Sequence, residues 1–234
     1  MLRRSVVAAA AIALIAAAPA HAAKIENLQK LGTESYFAYV EKAVPAKAEA
    51  KSSARTVGKL TRKTGEGTDD LVLVIARTTD SQDRVWLKVR LPIRPNGTTG
   101  WVQETALSEL QPVDTWLKIS TKTYKATVIK NGKRVFSANV GVGQPQWPTP
   151  KGQFYVRAKL TGYNNPTYGP LAFVTSATSD TLTDWPGGGI VGVHGTDQPG
   201  LVPGRISHGC VRMKNADILK LNKLIEVGTP ITIT

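Results

Sequence analysis

Residues 123–140 read TYKATVIKNGKRVFSANV. Tyr124, Ala126 and Val128 alternate with Lys125, Thr127 and Ile129, the period-2 pattern of a strand with one face on a core. Asn131-Gly132 follows at once. A type I′ turn needs positive φ at both central residues, and Asn and Gly adopt it with the least strain. Val135 to Val142 is then the return strand, so the sequence around it is expected to be mainly β.

The flanks agree. Trp116 to Ser120 reads as a strand before the hairpin, and Pro148-Thr149-Pro150-Lys151-Gly152 makes a turn before Phe154-Tyr155-Val156. Leu171 to Thr175 and Ile190 to Val193 are further short apolar runs. One helix is expected: Asn215 is its N-cap, Ile218, Leu219, Leu221, Leu224 and Ile225 form an apolar face, and Gly228 with Pro230 stops it. Ile231 to Thr234 is a final strand.

Towards the N-terminus, Pro112 to Thr115 reads as a seam between two modules. Before it, Leu71 to Ile75 is a buried-strand run, Thr78 to Asp83 a loop, and Val85, Leu87, Val89 and Leu91 alternate with Trp86, Lys88 and Arg90. Pro95-Asn96-Gly97 supplies a turn before Gly100-Trp101-Val102. Residues 55–112 are therefore expected as a small all-β barrel. Residues 23–54, rich in Ala, Lys and Glu, read as a loosely helical or mobile lead-in.

Residues 1–22 have the form of a secretory signal: Arg3 and Arg4, an apolar run from Val6 to Ala18, then Ala20-His21-Ala22 as a cleavage site. The run is shorter than the about 20 residues of a membrane span, so the mature chain is expected to be exported without a stable span, to the cell wall, periplasm or extracellular space. Loss of Arg3 and Arg4 takes the net charge from +13 to +11. Such a surface attracts anionic polymers, cell-wall phosphates among them. The cations are scattered (Lys47, Lys51, Arg55, Lys59, Arg62) and not interleaved with stacking aromatics, which argues against nucleic acid.

Cys210 is the only cysteine, and of three histidines two, His194 and His208, lie near it in sequence. Exported chains that use cysteine structurally carry disulfides, so an odd cysteine points to intermolecular pairing or a reactive thiol. Acyl transfer by a thiol needs a base and donors for the developing oxyanion. Either histidine could take the proton. A strand-end histidine from another element can aim its ring without straining the cysteine's own turn, which favours His194. Gly209 leaves room for a substrate carbonyl, making the N–H groups of Gly209 and Cys210 candidate oxyanion donors. Two histidines, one cysteine and no HExxH pattern argue against a metal site, and no cofactor is expected.

His194-Gly195-Thr196, then Ser207-His208-Gly209-Cys210-Val211-Arg212, resembles the signature of the bacterial L,D-transpeptidase catalytic domain. Gly141-Val142-Gly143, Thr149-Pro150-Lys151-Gly152, Asn215-Ala216-Asp217 and Gly228-Thr229-Pro230 extend the resemblance across Asp114 to Thr234, which assigns residues 113–234 to that domain. Trp86 to Pro92, Arg94-Pro95-Asn96-Gly97 and Gly100-Trp101-Val102 resemble a bacterial SH3-like domain, which implies wall binding or substrate positioning.

The resemblance implies a β-sandwich-like catalytic fold and the following roles. Cys210 attacks the third residue's carbonyl in a peptidoglycan tetrapeptide stem and expels D-alanine. His194 is general base and acid, its ring oriented by the Gly195 carbonyl, and the turn at His208 and Gly209 holds the oxyanion. Ser207 and Arg212 support the turn and the substrate pocket, and Tyr168 and Trp185 line the cleft, which Gln198 to Ile206 help to frame. The thioester passes to a diamino acid of a second stem, giving a 3→3 cross-link. Hydrolysis of the same thioester would instead make an L,D-carboxypeptidase or endopeptidase, and a decayed site would leave a noncatalytic wall-binding protein. A papain-like peptidase places its cysteine before its histidine, the reverse of the order here.

Overall fold

The computed structural model describes residues 24–161, 165–183 and 189–234. The Asn131-Gly132 turn has positive φ at both residues, 49° and 74°. It joins strands Lys125–Lys130 and Lys133–Asn139, which pair antiparallel with Lys130 opposite Lys133. Ala126 and Val128 face the core with no exposure while Lys125 lies in solvent and Thr127 and Ile129 are half-buried, as the alternation requires, and Lys130 at the turn is exposed. The fold is mainly β with one α-helix among the described residues.

Strands Thr115–Ser120 to Pro230–Ile233 form one ten-stranded sheet. The last strand lies parallel to Thr115–Ser120, with Ile231 opposite Leu117. Beyond it the order is Gly152–Thr161, Leu171–Thr178, Ile190–His194, Val211–Arg212, Gly141–Gly143 and Gly204–Ser207. Leu117, Val128, Val140, Phe154, Phe173, Met213 and Ile218 belong to its core. The helix spans Asn215–Leu221 and buries Ile218 and Leu221. It is shorter than the apolar pattern suggested, and Leu219 is exposed. Asn215 is not its N-cap: Lys214 holds that position without a side-chain cap, and the Asn215 carboxamide is used elsewhere.

The lead-in reading of residues 23–54 is corrected. Over the described residues it contributes strands Glu26–Asn27, Ser35–Tyr39 and Pro45–Lys47 to a second, eight-stranded sheet that extends to Gln111–Val113. Tyr36, Phe37 and Ala38 pair with Val74, Leu73 and Val72. Ala and Lys are good helix formers, but helix propensity is a small term, and burial against a hydrophobic strand overrides it. The strand expected at Leu71 to Ile75 runs on to Thr79, so the loop begins later than the polar residues suggested. The expected signal segment lies outside the described residues. No helix among them is long and apolar enough to cross a membrane.

The two sheets touch across one side. Phe37, Leu71, Leu73 and Val113 of the first pack on Tyr155 of the second. Arg157 grips Asp70 with two bonds, Nε to Oδ1 at 2.7 Å and Nη2 to Oδ2 at 2.6 Å. Asp70 is 2% exposed, and a pair this dry holds only with such bidentate geometry.

Candidate active site

Strands Ile190–His194 and Val211–Arg212 are parallel neighbours, with Val193 opposite Val211 and His194 opposite Arg212. His194 is the last residue of one strand and Cys210 directly precedes the other. The Gly192 N–H donates to the Cys210 sulfur at 3.4 Å, two residues before His194 on the same strand. Imidazole and thiol thus come from adjacent backbones and both line one cleft of about 250 Å³, with Tyr168, His208 and Arg212.

His194 is 2% exposed. Its Nδ1 lies 2.6 Å from the Gly195 carbonyl oxygen. A carbonyl only accepts, so Nδ1 carries the proton and Nε2 presents a lone pair. Burial, reinforced by the Arg212 charge and opposed by the Gly195 bond, lowers the imidazole pKa to about 4. The ring is neutral at pH 7. The Tyr168 ring stands edge-on to it, 4.9 Å between centroids.

The backbone that aims this carbonyl is tightly held. Gly195 N–H donates to Leu171 O at 3.2 Å, and the Asn215 Oδ1 accepts from Thr196 N–H at 2.9 Å. A Cβ on Gly195 would come within 2.4 Å of that Asn215 oxygen and 3.0 Å of Gly169 Cα. Only a glycine fits there.

The cysteine turn is built from its own residues. Ser207 Oγ donates to the Cys210 carbonyl at 2.5 Å and accepts the Gly209 N–H at 3.2 Å. Gly209 has φ +113°, a conformation that side chains avoid. Thr149 Oγ1 donates to the Gly209 carbonyl and accepts the Gly143 N–H, each at 2.8 Å. The Gly209 N–H, expected as an oxyanion donor, is therefore already engaged. The Cys210 N–H has no acceptor among the described residues. Burial pushes the Cys210 thiol pKa up, opposed by the Gly192 N–H and the Arg212 charge. The resting pair is a neutral imidazole and a protonated thiol.

The remaining candidates sort by geometry. Arg212 lines the cleft, and its Nε is buried with no hydrogen-bond partner. Ser207, expected to support the turn and the substrate pocket, lines the cleft, 1% exposed, with its hydroxyl spent on the turn. His208 is exposed and its ring lies 4.2 Å from that of Trp147. Trp185 lies outside the described residues. Of Gln198 to Ile206, none lines the cleft. Instead the cleft's outer wall is Ser179, Leu182, Gly189 and Ile190. Sequence reasoning missed Thr149, Asn215 and Trp147 as parts of the site. The first two stood in the motifs quoted above, but hydrogen bonding by their side chains to distant backbone has no sequence pattern.

Chemically, a neutral base and a lone thiol in one cleft suit nucleophilic attack on an acyl carbon. The family of L,D-transpeptidase catalytic domains (YkuD) matches residues 114–233, just over half the chain. YqjB of Bacillus subtilis, named as an L,D-transpeptidase, is 30% identical over 131 residues, covering 53% of this chain and 73% of that protein. YkuD of the same organism is 30% identical over 118 residues, covering 50% and 63%. Among solved structures, the catalytic domain of the Enterococcus faecium L,D-transpeptidase is 27% identical with a TM-score of 0.39, covering 52% of this chain and 97% of that one. The chain belongs to the YkuD family of L,D-transpeptidase catalytic domains and is a cysteine-dependent transpeptidase of that family.

Proposed function

We propose that this chain is an exported enzyme that forms 3→3 cross-links between peptidoglycan tetrapeptide stems through a thioester on Cys210. The observation that carries the reading is the His194 Nδ1 bond to the Gly195 carbonyl, which leaves Nε2 as a base in the cleft that holds the thiol. The Cys210 S–H proton passes to Nε2 as sulfur attacks the carbonyl carbon of the third stem residue. The Cys210 N–H and the Arg212 charge stabilise the oxyanion. Collapse breaks the amide, D-alanine leaves with the proton from Nε2, and the thioester remains. Nε2 then takes a proton from the attacking diamino-acid amine, which forms the new amide and releases the thiol.

Burial favours the neutral imidazole and disfavours a resting thiolate, so the S–H proton moves to Nε2 as the sulfur attacks and not before. The Arg212 charge favours the thiolate and opposes the imidazolium, so it helps the sulfur give up its proton while keeping the resting base neutral. Export is supported by residues 1–22, and the cationic chain and the SH3-like turns of the first sheet support contact with anionic wall polymers.

Mature protein incubated with tetrapeptide-stem muropeptides is expected to yield 3→3 dimers by mass spectrometry. Free tripeptide alone would favour the hydrolase reading, and unchanged stems would overturn both.

A further inference from the structure

The outer wall of the cleft lies between strands Leu171–Thr178 and Ile190–His194 of the second sheet, but the loop that joins strands Val85–Arg90 and Thr99–Gln103 of the first sheet holds it. Thr178 ends strand Leu171–Thr178, whose register against Ile190–His194 slips between Val174 and Thr178. Its edge is completed by a side chain: Asn96 Nδ2 donates to the Thr178 carbonyl at 2.7 Å, and Asn96 Oδ1 accepts from Thr178 N–H at 3.0 Å and Oγ1 at 3.1 Å. The carboxamide pairs with that peptide as a neighbouring strand would. One residue on, Arg94 Nε and Nη2 both donate to the Ser179 carbonyl, at 3.2 and 3.0 Å.

Ser179 is where the wall is set. Its N–H donates to Gly189 O at 2.8 Å, and its Oγ accepts from Leu182 N–H at 3.0 Å. Ser179, Leu182 and Gly189 all face the cleft. A Cβ on Gly189 would lie 2.8 Å from Arg94 Nη2, so the guanidinium is packed against the wall itself.

We infer that Arg94 and Asn96 are positioning residues for catalysis: the first sheet sets the outer wall of the cleft and so governs how the stem peptide lies over Cys210. Neither side chain touches the reacting atoms. Their removal should loosen the fit of a long substrate without altering the thiol, because the inner wall is held by the second sheet with its own helix and turns. This rests on the reading above only for the identity of the substrate.

The test is the Arg94→Ala/Asn96→Ala protein beside Arg94→Lys, which keeps one cationic donor, and Asn96→Asp, which keeps the acceptors. The double variant should show a KM for the stem peptide raised about tenfold with Cys210 alkylation by iodoacetamide changed less than about twofold. Hydrogen exchange at the Ser179 and Leu182 amides should speed up, and Arg94→Lys should recover part of each change. An unchanged KM with unchanged exchange, even beside a lowered Tm, would overturn the proposal. If the native protein leaves stems untouched, the functional reading fails, and exchange at Ser179 and Leu182 still decides the clamp.

Discussion

The two walls of the cleft are made by different means. The inner wall carries His194 and Cys210 on or beside paired backbones of one sheet, with Thr149 of a neighbouring turn and Asn215 of the helix fixing the two loops. The outer wall is tied down by side chains that cross from a loop of the other sheet. Backbone pairing defines atoms to a fraction of an ångström, which proton transfer needs. Side-chain ties across a joint allow a surface to be set for a particular ligand without disturbing the chemistry beneath it.

The largest effect expected is on the inner wall. Cys210→Ala should abolish transfer while leaving the Tm within a degree or two, measured by muropeptide product analysis beside calorimetry. His194→Gln should lower kcat by about 10² to 10⁴, the usual worth of a general base, while His208→Gln should stay within about tenfold of the native rate. A reversal of the two would move the base to the exposed ring.

The joint should respond in stability. Asp70→Ala leaves Arg157 buried without its partner, a change worth about 3–5 kcal/mol, read as a lower midpoint in urea. Iodoacetamide labelling of Cys210 in the still-folded protein should be nearly native. A large loss of thiol reactivity would mean that the inner wall also depends on the joint.

Thr149→Val is subtler. It removes the hydroxyl between Gly143 N–H and Gly209 O and leaves two buried groups unpaired, about 1–3 kcal/mol each. Because Gly209 is in the turn, kcat should fall with the Tm.

Stability should also depend on pH through His194. Its pKa is about 6.5 when unfolded and about 4 in the fold, so below pH 6.5 the unfolded chain binds the extra proton first. Stability is therefore full above pH 6.5 and declines as pH falls towards 4, by an amount of about 3 kcal/mol. That part of the slope should vanish in His194→Gln.

The sequence carried much of this. The Asn131-Gly132 hairpin, the strand alternation and the order of His194 and Cys210 are local patterns, and they emerge in the structure as read. The helix at Asn215 was legible in place but not in length or cap. Residues 24–54 were not legible, because Ser35–Tyr39 is a strand only by virtue of Leu71–Thr79 beside it. For the same reason the outer wall was invisible: Arg94 and Asn96 looked like turn residues, and their partners lie more than eighty residues away.

The most direct test is ¹⁵N NMR of the imidazole nitrogens in histidine-labelled protein. His194 is expected to hold its proton on Nδ1, with Nε2 bare, and to titrate near pH 4. A His194 that carries the proton on Nε2 at pH 7, or that titrates near 6.5, would contradict that assignment.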